Sequence, residues 1–321
     1  MIKEITAPKL KNPVFIAAWP GMGEVAYRSA MFLKEVLSFK MFAKLEAQEF
    51  FKPAAVFVDN GVVNNPKVPA GIFYYCQGKN TPDIILFLGD AQPPLEYAQT
   101  ISLAIINFVK KYKAKFVFTF AAKPEATDHK SDSKIWVAGT SETIVSTFKE
   151  LGVEVLKDGQ ISGLNGIILG VAKEKKMQGV CILGEIPFYT VQIENPKAIA
   201  KILEILAKFL KIDLNLSSIV ERSKFIEVEI DKLITYLKGE AAPNGPSPLS
   251  EDDIDKIKKD LAAYTKLPQS ARKNIEDLFK AASKDITVAN KLKGELDNWN
   301  VYMEYEDRFL DLFKKKGKEI Q

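Results

Sequence analysis

Three groups of residues have the types and spacing that chemistry could use. The first is the turn Gly21-Met22-Gly23-Glu24-Val25-Ala26, which satisfies a Gly-x-Gly-x-x-Gly/Ala pattern between an apolar run and a helical one. In that pattern the glycines let the backbone approach a pyrophosphate seated on the positive end of the following helix. Glu46 falls near the place of the acidic residue that would accompany it. The second group is a pair of carboxylates, Asp90 after the run 84–88 and Glu185 after the run 180–183, with Asn165 opening a helical segment. Parallel strands that end together would bring Gly21, Gly23, Asp90, Asn165 and Glu185 to one rim, where open α/β sheets bind ligands. Two carboxylates there could do acid–base work or hold a cation. The third is His129, the one histidine, between Asp128 and Lys130.

Each group also has a structural reading, and the residue types favour it. A tight strand-to-helix turn needs small residues with or without a ligand, and Pro20 crowds this one. Asp90 and Glu185 can accept backbone N–H bonds where strands end. His129 has neither a second ligand nor a strained nucleophile near it and reads as a solvated surface residue. No Gly-x-Ser-x-Gly elbow, zinc-protease helix motif or Walker loop occurs. The residues assemble no catalytic set, and no cofactor or metal is expected.

The elements that would position these residues follow from periodicity. Short apolar runs at 14–19, 41–45, 55–58, 72–76, 84–88, 116–120, 135–138 and 180–183 alternate with helical patterns at 25–37, 94–112, 141–151, 163–176 and 198–210. That alternation predicts an α/β fold. Asn60-Gly61 between 55–58 and Val62-Val63 predicts a hairpin, because both residues tolerate positive φ. This region is then antiparallel, and the sheet mixed but mostly parallel. Residues 121–134 are polar and read as a loop. A further helix is expected at 217–238. Ala242-Pro243-Asn244-Gly245-Pro246-Ser247-Pro248 then forbids a regular element. The predicted organisation is a core over 1–240, a linker over 241–249 and a helical extension over 250–321. The extension would hold a helix capped by Ser250, a second near Ser270 with Ile275, Leu278, Phe279 and Ala282 on one face, and a long last helix over 287–316. The stripe of that last helix is Val288, Leu292, Leu296, Trp299, Met303, Leu310 and Phe313.

Composition bounds the rest. The chain has 321 residues, 47% of them hydrophobic and 27% charged, which is enough for a core without disulfides. Two distant cysteines, Cys76 and Cys181, suggest plain burial in a reducing, cytoplasmic compartment. The N-terminus has no signal-peptide pattern, and no run free of charge reaches membrane-spanning length. A net charge of +4 from 45 basic and 41 acidic residues is too balanced to argue for nucleic acid.

Several motifs in order resemble the proteasome assembly chaperone 2 family. They are Trp19-Pro20-Gly21-Met22-Gly23 with Val25, Glu49-Phe50-Phe51, 59–63, Pro69 with Phe73-Tyr74-Tyr75, and Gly89-Asp90-Ala91-Gln92-Pro93. Gly163-Leu164-Asn165-Gly166 with Leu169-Gly170, and Gly184-Glu185-Ile186-Pro187, complete the series. The resemblance covers about 14–222 and implies a phosphorylase/hydrolase-like α/β fold with no established chemistry. It also implies partners in proteasome-like assemblies and, as for archaeal relatives, homo-oligomers. Relatives that engage proteasomes end in hydrophobic-Tyr-any; here Ile320 stands where the tyrosine would, so the resemblance does not carry docking through such a tail. Ala121-Ala122 stands where relatives often have glycines. Two readings follow: a protein-interaction or assembly factor that is a homo-oligomer, or an enzyme or binding protein for a nucleoside or phosphorylated small molecule at the rim.

Overall fold

The structure, a computed structural model, describes residues 1–46, 49–51, 56–65, 68–237, 269–298 and 302–316. The chain divides into two units, Met1–Tyr236 and Leu237–Gln321. The expected linker and the helix expected to start at Ser250 lie outside the described residues.

The first unit is built on strand β2 (Val14–Ala18), whose five residues are all buried. A strand this apolar has no face for water, so it must lie inside a sheet covered on both sides. It pairs in parallel with β7 (Ile84–Gly89) and with β8 (Phe116–Glu125), and β8 pairs in parallel with β11 (Gln178–Pro187). Antiparallel strands flank this parallel centre. On one side lie β6 (Ala70–Cys76), β3 (Lys40–Glu46) and β1 (Ile2–Glu4); on the other lie β9 (Ile135–Gly139) and then β10 (Glu154–Val155), which is parallel to β9. The result is a mixed sheet of nine strands in the order β1-β3-β6-β7-β2-β8-β11-β9-β10. The short strands β4 (Phe57–Asp59) and β5 (Val62–Asn64) form a separate hairpin. Its turn is Asn60-Gly61, with φ of 48° and 80°, as the dipeptide predicts.

Alternation along β2 assigns the two layers. Val14, Ile16 and Ala18 face α1 (Val25–Val36), α3 (Glu142–Lys149) and α5 (Pro196–Leu210); Phe15, Ala17 and Trp19 face α2 (Leu95–Lys111) and α4 (Leu164–Glu174). Phe148 of α3 is fully buried and stacks on Phe209 of α5 at 4.7 Å. Helix α6 (Ser217–Leu237) closes the unit. Both cysteines are free, and burial pushes the Cys181 thiol up to about 12.

Two expectations need correction here. Residues 121–125 are strand, not loop: β8 runs on, and Ala121 to Glu125 pair with Leu183 to Pro187 of β11. Backbone pairing holds this ribbon where its composition suggested none. Glu185 therefore lies within β11 and does not follow it.

In the second unit, α7 (Gln269–Lys284) buries Ile275, Leu278, Phe279 and Ala282, the face expected for it. The expected long last helix is not continuous. After a 3-10 turn, Ile286–Val288, come α8 (Ala289–Asn298) and α9 (Tyr302–Lys316). Glu295 accepts a bond from Asn274, and Arg308 pairs with Glu276 at 2.6 Å. In one straight helix Arg308 would lie about 20 Å beyond Glu295, at about 1.5 Å per residue. Helices α8 and α9 are therefore not parts of one straight helix. Tyr305 and Phe309 take the core positions, and Leu310 and Phe313 of the expected stripe are exposed.

Replacing Phe148 by Ala should lower the stability of the first unit by about 3–5 kcal/mol, read from chemical denaturation, because it removes a fully buried ring from between Phe118 and Phe209 and leaves a cavity.

Candidate functional site

Parallel pairing places the carboxyl ends of β7, β2, β8 and β11 along one rim, as expected. The register sets their heights. Ala18 pairs with Leu88, Ala17 with Thr119, and Lys123 with Glu185, so the Gly21 turn stands nearly level with Asp90 and with Glu185. Across the sheet the two carboxylates are far apart. Strands β2 and β8 lie between β7 and β11, a separation of roughly 14 Å at about 4.8 Å per strand. They share the rim but not a reaction centre.

Asn165 is a buried polar residue of this rim. Its Oδ1 accepts the Trp19 N–H at 3.1 Å and its Nδ2 donates to the Trp19 carbonyl at 3.4 Å, so a side chain from the first turn of α4 takes the place of a neighbouring strand at the end of β2. Gln92 repeats the device nearby, donating to the Pro20 carbonyl at 2.9 Å and accepting the Leu164 N–H at 3.0 Å. Gly166 is required by contact, since a Cβ there would lie 1.9 Å from the Ile161 carbonyl oxygen.

The glycine turn is committed in the same way. Gly23 has φ of 59°, its N–H donates to the Val191 carbonyl at 2.7 Å, and its carbonyl accepts the Asn195 N–H at 3.0 Å. The backbone donor a pyrophosphate would need is already used. Gly21 is extended, at φ −169°, a conformation open to any residue, and its N–H has no part in the helix. Glu24 precedes the first residue of α1 without capping it, and its carboxylate pairs with Arg28 at 2.6 Å.

Both acids make structural contacts. Asp90 clips β7 to β6: its N–H donates to the Ala70 carbonyl at 2.9 Å, and its Oδ2 accepts the Ala70 N–H at 3.1 Å. Glu185 is buried on the ribbon that continues β8 and β11. Its N–H donates to the Lys134 carbonyl at 2.8 Å, its carbonyl accepts the Ser133 hydroxyl at 2.7 Å, and its carboxylate accepts the Trp136 Nε1–H at 3.3 Å. Lys123 lies 4.2 Å from the centre of the Trp136 ring and pairs with Glu125. The concavity bordered by Trp19, Phe87, Gly89 and Pro93 has a volume of about 10 Å³, the size of about one water at most.

His129 corrects the sequence reading. It is not a solvated surface residue but is 7% exposed. Its Nδ1 lies 2.8 Å from the Tyr189 hydroxyl, which also accepts the His129 N–H at 2.9 Å; its Nε2 lies 3.0 Å from Asp231 of α6. Lys130 reaches the other oxygen of Asp231 at 2.9 Å. Lys197 donates to the carbonyls of His129, Lys130 and Ser131 and pairs with Glu227 of α6 at 2.8 Å. Burial pushes the Tyr189 hydroxyl up to about 12, so it stays protonated, and the hydrogen bond from Lys130 holds the Asp231 carboxyl below the usual aspartate value. Both ring nitrogens are engaged, and the group ties three segments together. No local signal could have shown this, because Asp231 lies 102 residues from His129. Among the described residues no group of three or more His, Cys, Asp or Glu side chains could hold a metal ion.

The fold and rim thus define an α/β protein whose strand-end polar groups are largely satisfied by its own chain. The PAC2 family model matches residues 15–234, and the protein belongs to the PAC2 family. It is similar to Pyrococcus furiosus PbaB, an archaeal proteasome activator, with a TM-score of 0.63, 26% identity, and 73% of this chain and 98% of that one covered. It is similar also to Pyrococcus furiosus PbaA, an archaeal homologue of proteasome-assembly chaperone, with a TM-score of 0.58, 26% identity, and 72% and 91% covered. An uncharacterised protein of Methanocaldococcus jannaschii is 26% identical over 247 residues, 76% of this chain and 92% of that one.

Two outcomes follow. Asn165→Ala should cost about 1–3 kcal/mol in thermal or chemical unfolding, because the buried Trp19 N–H and carbonyl lose their partner together; Asn165→Asp, which keeps the acceptor but buries a carboxylate against the Trp19 carbonyl, should cost no less. The Asp231 tie carries a pH sign. Its carboxyl titrates lower in the folded chain than in the unfolded one, so its contribution is complete above the unfolded value and is lost as pH falls through the folded value. Protection factors for the amides of 217–237, which remove the intrinsic pH dependence of exchange, should fall across that acidic window in the native chain and be less pH-dependent there in Asp231→Asn.

Proposed function

We propose that this protein is an interaction or assembly factor for a proteasome-type particle, acting through protein contacts and not through turnover of a small molecule. The observation that carries this reading is the likeness to the Pyrococcus furiosus proteasome activator, which spans 98% of that chain at 26% identity. The PbaA likeness and the PAC2 family match point the same way. The rim supports it from the physical side. Asn165, Gly23, Asp90 and Glu185 hold backbone groups of their own chain, and we assign them, with Gly21, to shaping the rim and not to binding a nucleoside or phosphate. We further propose that it is cytoplasmic and works as a homo-oligomer, with the core at 1–240 and the helical extension at 250–321 as separable parts joined by 241–249. Among the described residues no helix is long and apolar enough to cross a membrane.

The test is native affinity purification of the tagged full chain from its own cells, with mass spectrometry of what comes with it. Stoichiometric recovery of proteasome core subunits or their precursors is expected. Recovery without them, together with a thermal-shift response to nucleosides or phosphate, would replace this reading with the ligand-binding one.

A further inference from the structure

Helix α6 departs from the usual amphipathic arrangement, in which charges face outward. Much of its inward face is fastened by charge. Arg222 makes a two-pronged pair with Glu194 at 2.9 and 2.6 Å, Glu227 pairs with Lys197 at 2.8 Å, and Asp231 holds His129 and Lys130 at 3.0 and 2.9 Å. Ile219, Ser223 and Ile230 are buried along the same side. These contacts fix the rotation of the helix about its axis. They leave Glu221, Phe225, Val228 and Lys232 along the middle of the outward face, at intervals of four, three and four residues. That is the interval at which one helix presents a seam to another. Phe225 is 65% exposed and Val228 50%.

The series is complementary to its own reverse. Against a second copy laid antiparallel about a two-fold axis between residues 226 and 227, Phe225 meets Val228 of the second copy and Glu221 meets its Lys232. The same two contacts then recur with the copies exchanged, which is what an isologous interface requires. A parallel pairing instead sets Glu221 against Glu221 and Lys232 against Lys232. Within one chain Lys232 is bonded to Glu229 at 2.7 Å, but these side chains are 68% and 47% exposed, and a pair so exposed exchanges easily for one between chains.

We propose that the outward face of α6 is a two-fold, antiparallel docking surface for a second copy of this chain. Phe225 and Val228 form its centre, and the Glu221–Lys232 pairs close its ends. The inference rests on the homo-oligomeric reading above and gives it a surface. The seam is about 16 Å long at about 1.5 Å per residue, so association is concentration dependent.

Sedimentation of the full chain over a range of concentrations tests it, with far-UV circular dichroism and the melting temperature as controls for folding. Phe225→Asp should raise the dissociation constant about thirtyfold or more and leave both controls unchanged, since Phe225 supports no core. E221K and K232E should each weaken association about tenfold, by placing like charges together. The double variant E221K/K232E should recover most of that loss, as only the antiparallel pairing permits. An oligomer indifferent to Phe225→Asp, or a charge swap no better than its single parents, would overturn this surface while leaving the homo-oligomer standing. A wild-type chain that stays monomeric at every concentration would overturn both.

Discussion

Strand β2 is enclosed on both faces and both edges, and the rest of the first unit is arranged around that enclosure. Its residues alternate between two apolar layers, one under α1, α3 and α5 and the other under α2 and α4. A buried strand has to hydrogen-bond along its whole length, because no water reaches its backbone. Parallel neighbours do this as far as Ala18. Beyond that point the chain turns away, and the groups of Trp19 and Pro20 would be orphaned. Asn165 and Gln92 supply the missing partners from α4 and from the loop after β7.

That requirement gives the polar residues of the rim a structural task. The polar residues there are the ones needed to finish a buried parallel sheet. The glycine turn is anchored through Val191 and Asn195, Asp90 ties β7 to β6, and Glu185 sits inside the β8–β11 ribbon under Trp136. In the proposal above, function lies instead on outward surfaces. Helix α6 is one of these, since charge pairs orient it and Phe225 and Val228 turn away from the body.

Elements carrying dense local information are legible in the sequence. The runs at β2 and β7 are apolar throughout, which marks buried strands; Asn60-Gly61 marks a hairpin by its tolerance of positive φ; and Ile275, Leu278, Phe279 and Ala282 mark one buried face of α7. Segments that differ from expectation owe their conformation to distant partners. Residues 121–125, Ala-Ala-Lys-Pro-Glu, carry no strand signal of their own, yet pairing with 183–187 makes them strand. His129 carries the local signature of a surface residue, yet Tyr189 and Asp231 enclose it. The periodicity over 287–316 fits one long helix, yet Leu292, Leu296, Tyr305 and Phe309 share one core with the α7 face, so α8 and α9 are not one straight helix.

By itself the sequence determined the α/β alternation and most strands and helices of the core, because these follow from side-chain periodicity and short-range backbone preference. It also carried the family resemblance. What tertiary structure alone decided is which polar groups are free to act. Whether a glycine N–H, a carboxylate or an imidazole is available depends on what stands within about 3 Å of it. Here those neighbours come from residues 20 to 168 positions away along the chain, from Ala70 with Asp90 to Val191 with Gly23.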